Sequence, residues 1–147
     1  MTTAAIVLAA GGGSRFRESG GGVHKLLAPY LGRTVVEWAI EAAGSAQLDA
    51  TYVVRGATHL PVPPLVADRV RFVRNDRWRE GIATSLQAGV TRARRDGHAA
   101  VVVGLGDQPL VLVDAWRRVA RATTSPVAPG TNSLRMSWAV AAASGER

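Results

Sequence analysis

The stretch Ala4-Ala5-Ile6-Val7-Leu8-Ala9-Ala10-Gly11-Gly12-Gly13-Ser14-Arg15-Phe16, followed by Lys25-Leu26-Leu27, decides the fold. An apolar run of strand length without polar alternation is what a parallel strand covered on both faces requires. It breaks into glycines, whose missing Cβ lets backbone N–H groups approach anionic oxygens. Lys25 is the only lysine among 18 Lys and Arg residues. A compact ammonium is not interchangeable with a planar guanidinium. A chain so rich in Arg therefore keeps Lys where Lys itself is needed, as a phosphate-binding or catalytic charge. Read by itself, the loop is either a tight turn or a phosphate cradle. It is not a Walker A loop, because no Gly-Lys-Ser/Thr follows, and Phe16 spoils a Rossmann fingerprint.

Working outward, strand-like and helix-like segments alternate. Thr34 is placed to cap a helix over Val35–Ala43, with Gly44 as its stop. Thr51–Val54 and Val70–Val73 read as strands on either side of Pro61-Val62-Pro63-Pro64. A helix is predicted from about Thr84 to Arg95, with Leu86, Val90 and Ala93 at helical spacing and Gly97 ending it. Ala99–Val103 is a further strand, and a last helix spans Asp114 to Thr123. This alternation predicts an α/β fold: a doubly wound, mostly parallel sheet with helices on both faces and right-handed crossovers. Ligands of such sheets bind beyond the carboxyl ends of the strands. The Gly11–Arg17 loop and Gly104-Leu105-Gly106-Asp107-Gln108-Pro109 both lie at such ends.

Composition narrows the function classes. At 147 residues, 47% of them hydrophobic, with a mean hydropathy of +0.07, the chain fits one globular domain. No apolar run approaches the roughly 20 residues that span a bilayer. No charged segment precedes the first apolar run, so a signal peptide is not expected. Cys is absent, which removes disulfides and thiolate metal sites, and a cytoplasmic location is expected. A net charge of +7 and a pI near 11.4 raise nucleic-acid binding. The arginines, however, are scattered from Arg15 to Arg147, and two Phe and two Tyr offer few stacking platforms. Nucleic acid is disfavoured on that ground.

Two further motifs carry chemistry. Asp107 directly follows a buried strand, where a carboxylate is either an Mg²⁺ ligand or a turn cap. The run Asn75 to Leu86 is either a loop closing on a helix N-terminus, with Thr84 or Ser85 reading a base edge or phosphate, or simple N-capping. His24, His59 and His98 are too dispersed for a metal site and read as surface residues.

The ordered set of Leu8-Ala9-Ala10-Gly11, Ser14-Arg15-Phe16, Lys25-Leu26-Leu27 and Gly32 resembles the MobA-like nucleotidyltransferases. Val53-Val54-Arg55-Gly56-Ala57, Asn75, Trp78, Glu80-Gly81, Ser85-Leu86, Gly89 and Gly106-Asp107-Gln108-Pro109-Leu110-Val111 extend the likeness, which is strongest to the molybdenum cofactor cytidylyltransferase branch. The resemblance implies a Rossmann-like fold that transfers a nucleoside monophosphate, CMP from CTP or its counterpart from GTP, to a phosphorylated acceptor such as molybdopterin, releasing pyrophosphate. It implies that Ala10, Gly11, Gly12, Gly13, Arg15 and Lys25 hold the triphosphate, Gly81 and Ser85 lie near the base, and Asp107 coordinates Mg²⁺. It also implies a molybdoenzyme or maturation protein as a partner, and no membrane. The loop from Arg15 to Lys25 is longer than is usual in the family, with Gly20-Gly21-Gly22 filling it. Beyond Ala128 no family counterpart is recognised. The expectation is a nucleotidyltransferase domain over 1–128, a divergent tail over 129–147, and a C-terminally truncated sheet with an open apolar edge. The alternative function is a catalytically incompetent nucleotide-binding fragment.

Overall fold

β1 (Thr3–Ala9) lies at the centre of the sheet because both of its faces are apolar. Ala5, Val7 and Ala9 point to one core and Ala4, Ile6 and Leu8 to another, all 6% exposed or less. The computed structural model describes residues 2–11 and 24–123, and the backbone of 135–138. Parallel to β1 run β4 (Ala50–Arg55) and β6 (Ala100–Leu105), with Ile6 opposite Tyr52 on one side and Val103 on the other. β5 (Val70–Arg74) adds to β4 in parallel. A separate antiparallel pair, β2 (Pro29–Tyr30) and β3 (Arg33–Thr34), turns through Leu31 and Gly32, both at positive φ.

With β7 (Arg135–Trp138) beyond β6, the strand order β5-β4-β1-β6-β7 reverses direction between β1 and β6. After β1 the chain builds outward to β4 and β5, then returns to the other flank. β7 pairs with β6 in parallel, Ala100 opposite Arg135 through Val103 opposite Trp138. The stretch expected to be a divergent tail thus supplies a strand to this sheet. Its signal, four residues alternating charged or polar with apolar, is too short to stand out in the sequence.

Helices cover both faces. α1 (Val35–Ser45) and α3 (Val113–Thr123) pack on one, through Val36, Ile40, Ala43, Trp116 and Ala120. α2 (Ile82–Arg95) packs on the other through Ala93, while Leu86 and Val90 press against the same core. A Cβ on Gly89 would stand 2.8 Å from Ile6, so glycine lets α2 lie close to the sheet. The chain is an α/β, doubly wound, parallel-sheet protein, as its alternating pattern predicts.

Local chemistry explains the helix ends. Thr34 caps α1 in a reciprocal box: its hydroxyl oxygen accepts from the Glu37 N–H while its own N–H donates to the Glu37 carboxylate at 2.8 Å. Gly44 does not stop α1, which runs to Ser45. It is glycine because Val66 occupies the space a Cβ would need, 2.8 Å away. α2 begins at Ile82, two residues before the predicted start. Gly81, at φ +118°, ends the preceding turn and leads directly into the helix. Gly97, at φ +91°, follows the helix as expected.

Candidate functional site at the strand-order reversal

The carboxyl ends of β1 and β6 open into a cleft of about 640 Å³. Ala10, Gly11, Lys25, Gly81, Ser85 and Asp107, predicted from separate motifs, all line it. Gly12, Gly13 and Arg15 lie outside the described residues. His24, Trp78, Arg79 and Ile82 line it as well.

β1 and β6 bring their loops together by register. The ladder ends with Leu8 opposite Leu105, and the Gly106 N–H then donates to the Leu8 carbonyl at 2.9 Å. A Cβ on Gly106 would approach Ala9 Cβ at 3.0 Å and the Leu8 carbonyl oxygen at 3.2 Å, so the residue before Asp107 is closely packed against the end of β1. This tight exit aims Asp107 at the cleft, where Oδ2 lies 2.5 Å from Lys25 Nζ. The two side chains keep 29% and 47% of their surface exposed, so each stays open to a ligand. Lys25 begins a 3₁₀ turn, Lys25–Leu27, anchored by buried Leu26.

His24 precedes that turn and, though partly exposed as its isolation in the sequence implies, makes contacts through both ring nitrogens. Its Nδ1 accepts from the Leu26 N–H at 3.2 Å, and its Nε2 meets the Gly11 carbonyl at 2.7 Å. A lone histidine gives no periodic signal; its place immediately before the single lysine was the one available clue. His59 is exposed, as expected. His98 lies at the far end of the sheet, with Nδ1 2.9 Å from the Thr2 hydroxyl.

The opposite wall is held by Asn75, 5% exposed. Its side-chain amide donates to the hydroxyls of Thr84 and Ser85, both at 2.9 Å, and its carbonyl accepts from the Arg77 N–H at 3.0 Å. Thr84 is no N-cap. Its hydroxyl lies 2.7 Å from the carbonyl of Gly81 and 2.9 Å from that of Arg77, staying within the turn. Ser85, 4% exposed, borders the cleft with Asn75 as its hydrogen-bond partner. Trp78 leans over Gly56, where a Cβ would stand 2.7 Å from the indole and 2.8 Å from the Ala10 carbonyl. The Arg79 guanidinium stacks 4.9 Å from the Trp78 ring. At the rim Arg77 donates to Glu80, which holds the Glu80 carboxyl below its ordinary range.

No group of three or more His, Asp or Glu side chains among the described residues could enclose a metal ion. Asp107 offers one carboxylate at the cleft floor. That fits a hard divalent cation which takes one protein oxygen and completes its shell with phosphate and water.

The fold defines an α/β protein of the parallel, doubly wound class, whose ligands bind at a strand-order reversal such as this cleft occupies. Residues 5–145 match the family described as MobA-like NTP transferase domain, and the chain belongs to that family. Among curated proteins, the bifunctional protein GlmU of Rhodospirillum rubrum is 35% identical over 123 residues, which are 82% of this chain and 26% of that protein. The chain thus spans about a quarter of this relative's length. Among solved structures, a nucleotidyl transferase from Methanothermobacter thermautotroptrophicus matches with a TM-score of 0.65 and 35% identity. The match covers 82% of this chain and 57% of that one. Rv0371c from Mycobacterium tuberculosis H37Rv matches with a TM-score of 0.64 and 27% identity, over 82% and 59% of the two chains. Its complex with manganese matches at 0.58 and 25%, over 83% and 59%. Among the described residues no helix is long and apolar enough to cross a membrane.

Proposed function

We propose that the chain transfers a nucleoside monophosphate from a nucleoside triphosphate, CTP in preference to GTP, to a phosphorylated acceptor of molybdopterin type, with release of pyrophosphate. The observation that carries the reading is the sole lysine paired with Asp107 across the strand-order reversal, opposite the glycine-rich exit of β1. The preference for CTP rests on Lys25-Leu26-Leu27 and on Glu80-Gly81 followed by Ser85-Leu86, which resemble the cytidylyl branch.

In this scheme the backbone from Ala10 through Gly13 cradles the triphosphate, and Arg15 and Lys25 neutralise it. Lys25 exchanges Asp107 for phosphate oxygens as the nucleotide enters, which releases the carboxylate. Asp107 would then hold a divalent cation, Mg²⁺ or Mn²⁺, which supplies charge neutralisation on the phosphates. An acceptor phosphate oxygen attacks the α-phosphorus in line, the bond to the bridging oxygen breaks, and pyrophosphate leaves with that electron pair. Such a reaction asks the protein for positioning and for charges fixed in advance more than for covalent help. Ser85, held by Asn75, and the open backbone at Gly81 lie where a base edge would be read.

Pyrophosphate release from CTP and GTP with Mg²⁺ and a molybdopterin-type acceptor tests this, alongside calorimetric nucleotide binding. Release with CTP supports the full scheme, and release with GTP alone reverses the base preference. Binding without release supports the nucleotide site and removes the transfer step. No binding overturns the assignment.

A further inference from the structure

We propose that His24 is a positioning residue, a clasp that ties the carboxyl end of β1 to the turn carrying Lys25 and so fixes the lysine over the cleft. The functional consequence rests on the nucleotide-binding reading above; the clasp itself does not.

The two ring contacts determine the state of the imidazole. The Leu26 backbone N–H can only donate, so His24 Nδ1, 3.2 Å away, carries no proton. A neutral ring then has its proton on Nε2, which donates to the Gly11 carbonyl at 2.7 Å. Both ring nitrogens are used, in one tautomer and one orientation. The choice of Gly11 has a topological reason. The β1 ladders end at Leu8 opposite Leu105 and at Ala9 opposite Arg55, so the Gly11 carbonyl lies beyond reach of either neighbour strand. His24 lies 13 positions further along the chain and supplies the donor.

The clasp completes a line across the rim. It runs from the end of β1 through His24 to Lys25, and from Lys25 through Asp107 to the end of β6. When a nucleotide takes Lys25 from Asp107, the second half of that line opens. His24 and the buried Leu26 then keep the turn in place. A lysine held in advance loses less freedom on binding than one on an untethered turn, and that difference appears as affinity.

Three substitutions separate the two bonds. His24→Ala removes both. His24→Asn keeps an acceptor near the Leu26 N–H but is too short to reach Gly11. His24→Gln has the length to donate to Gly11. In calorimetry with CTP and Mg²⁺, His24→Ala is expected to weaken binding about tenfold while the protein stays folded, with a melting temperature lowered by no more than the loss of one or two hydrogen bonds explains. KM for CTP should rise by a similar factor with kcat nearly constant. His24→Gln should recover most of the affinity and His24→Asn little of it. Wild-type affinity in His24→Ala, or recovery by Asn equal to that by Gln, overturns the clasp. Independently of any nucleotide, long-range ¹⁵N correlation spectra of the wild-type imidazole should show Nε2 protonated and Nδ1 bare; the reverse tautomer, or an average of the two, also overturns it. If the wild type binds neither CTP nor GTP, the functional reading fails and the tautomer alone decides the clasp.

Discussion

The two ends of the parallel sheet treat their charges in opposite ways. At the amino end, Tyr52 is fully buried and its hydroxyl donates to Asp96 at 2.6 Å, while Arg92 donates to the same oxygen at 2.9 Å. Arg71 stands 4.0 Å away, His98 packs edge-on against the Tyr52 ring, and the Asp49 carboxylate accepts from the Thr3 N–H. Three side chains converge there on Asp96 Oδ2, although the Asp96 side chain, 28% exposed, is about as open to solvent as that of Asp107. At the carboxyl end, Lys25 and Asp107 hold each other across an open cleft with much of their surface in solvent. Several donors on one carboxylate, one of them from a buried phenol, hold a fold more firmly than a single pair, which contributes little stability and can be exchanged. The contrast separates the end that holds the molecule together from the end that can act.

The sharpest way to break this comparison is at the exchangeable pair. Lys25→Ala and Asp107→Ala should each lower pyrophosphate release by roughly a hundredfold or more, the scale of losing a fixed transition-state charge. Melting temperatures should scarcely move, because exposed pairs are worth at most about 1 kcal/mol. Wild-type turnover in either variant would contradict the site assignment. Next in size are the supports of the cleft walls. Asn75→Ala leaves the Thr84 and Ser85 hydroxyls without their donor and the Arg77 N–H without its acceptor, and should cost about 2 kcal/mol in urea unfolding. Gly56→Ala forces a methyl group against Trp78 and the Ala10 carbonyl, with an expected loss of about 1–3 kcal/mol in the same assay.

At the amino end the expected pattern inverts. Tyr52→Phe should cost about 1 kcal/mol of stability while nucleotide turnover stays as it was. Burial, and then the bond to Asp96, push the Tyr52 phenol up from 10.0 to about 12. Its neutral form is thus favoured by folding. That contribution is complete below pH 10 and is lost as the pH rises toward about 12. The Tyr52 and Arg92 bonds hold the Asp96 carboxyl below 3.8, so its contribution is present above that value and lost as acid carries the pH through the lowered one. The smallest effect follows: Tyr52→Phe should flatten the alkaline fall in urea-measured stability across that window. An unchanged alkaline limb would show that Tyr52 is not the group responsible.

The legibility of these features in the sequence follows their physics. β1 and β6 were readable because strands buried on both faces must be continuously apolar, and no other local structure needs that at such length. Asp107 was readable because it stands directly at the end of such a run. Gly44 was misread as a helix stop because its reason is a contact with Val66, far along the chain, and not its own backbone conformation. The β2–β3 hairpin went unseen because Leu31-Gly32 lacks the usual Asn-Gly or Asp-Gly signature. β7 was missed because a strand of four residues carries little pattern of its own. Asn75 could be placed in the motif, but not its bonds to two successive hydroxyls of a helix reached through an intervening turn. His24 is the clearest case: a single polar residue whose role exists only once Gly11 and Leu26 are brought to it.

Trp78 and Trp116 give this architecture a consequence in light. Trp116 is 2% exposed, packed against Gly104 beneath α3, and its indole N–H finds no acceptor among the described residues. Trp78 is half-buried on the cleft wall, under the guanidinium of Arg79. One indole is sealed in an apolar interior and the other stands where a nucleotide would come to rest. Their emission should therefore differ in colour and in access to a dissolved quencher. Of the four tryptophans, filling the cleft would dim or shield Trp78 and leave Trp116 untouched, and loss of the fold would bring their two spectra together.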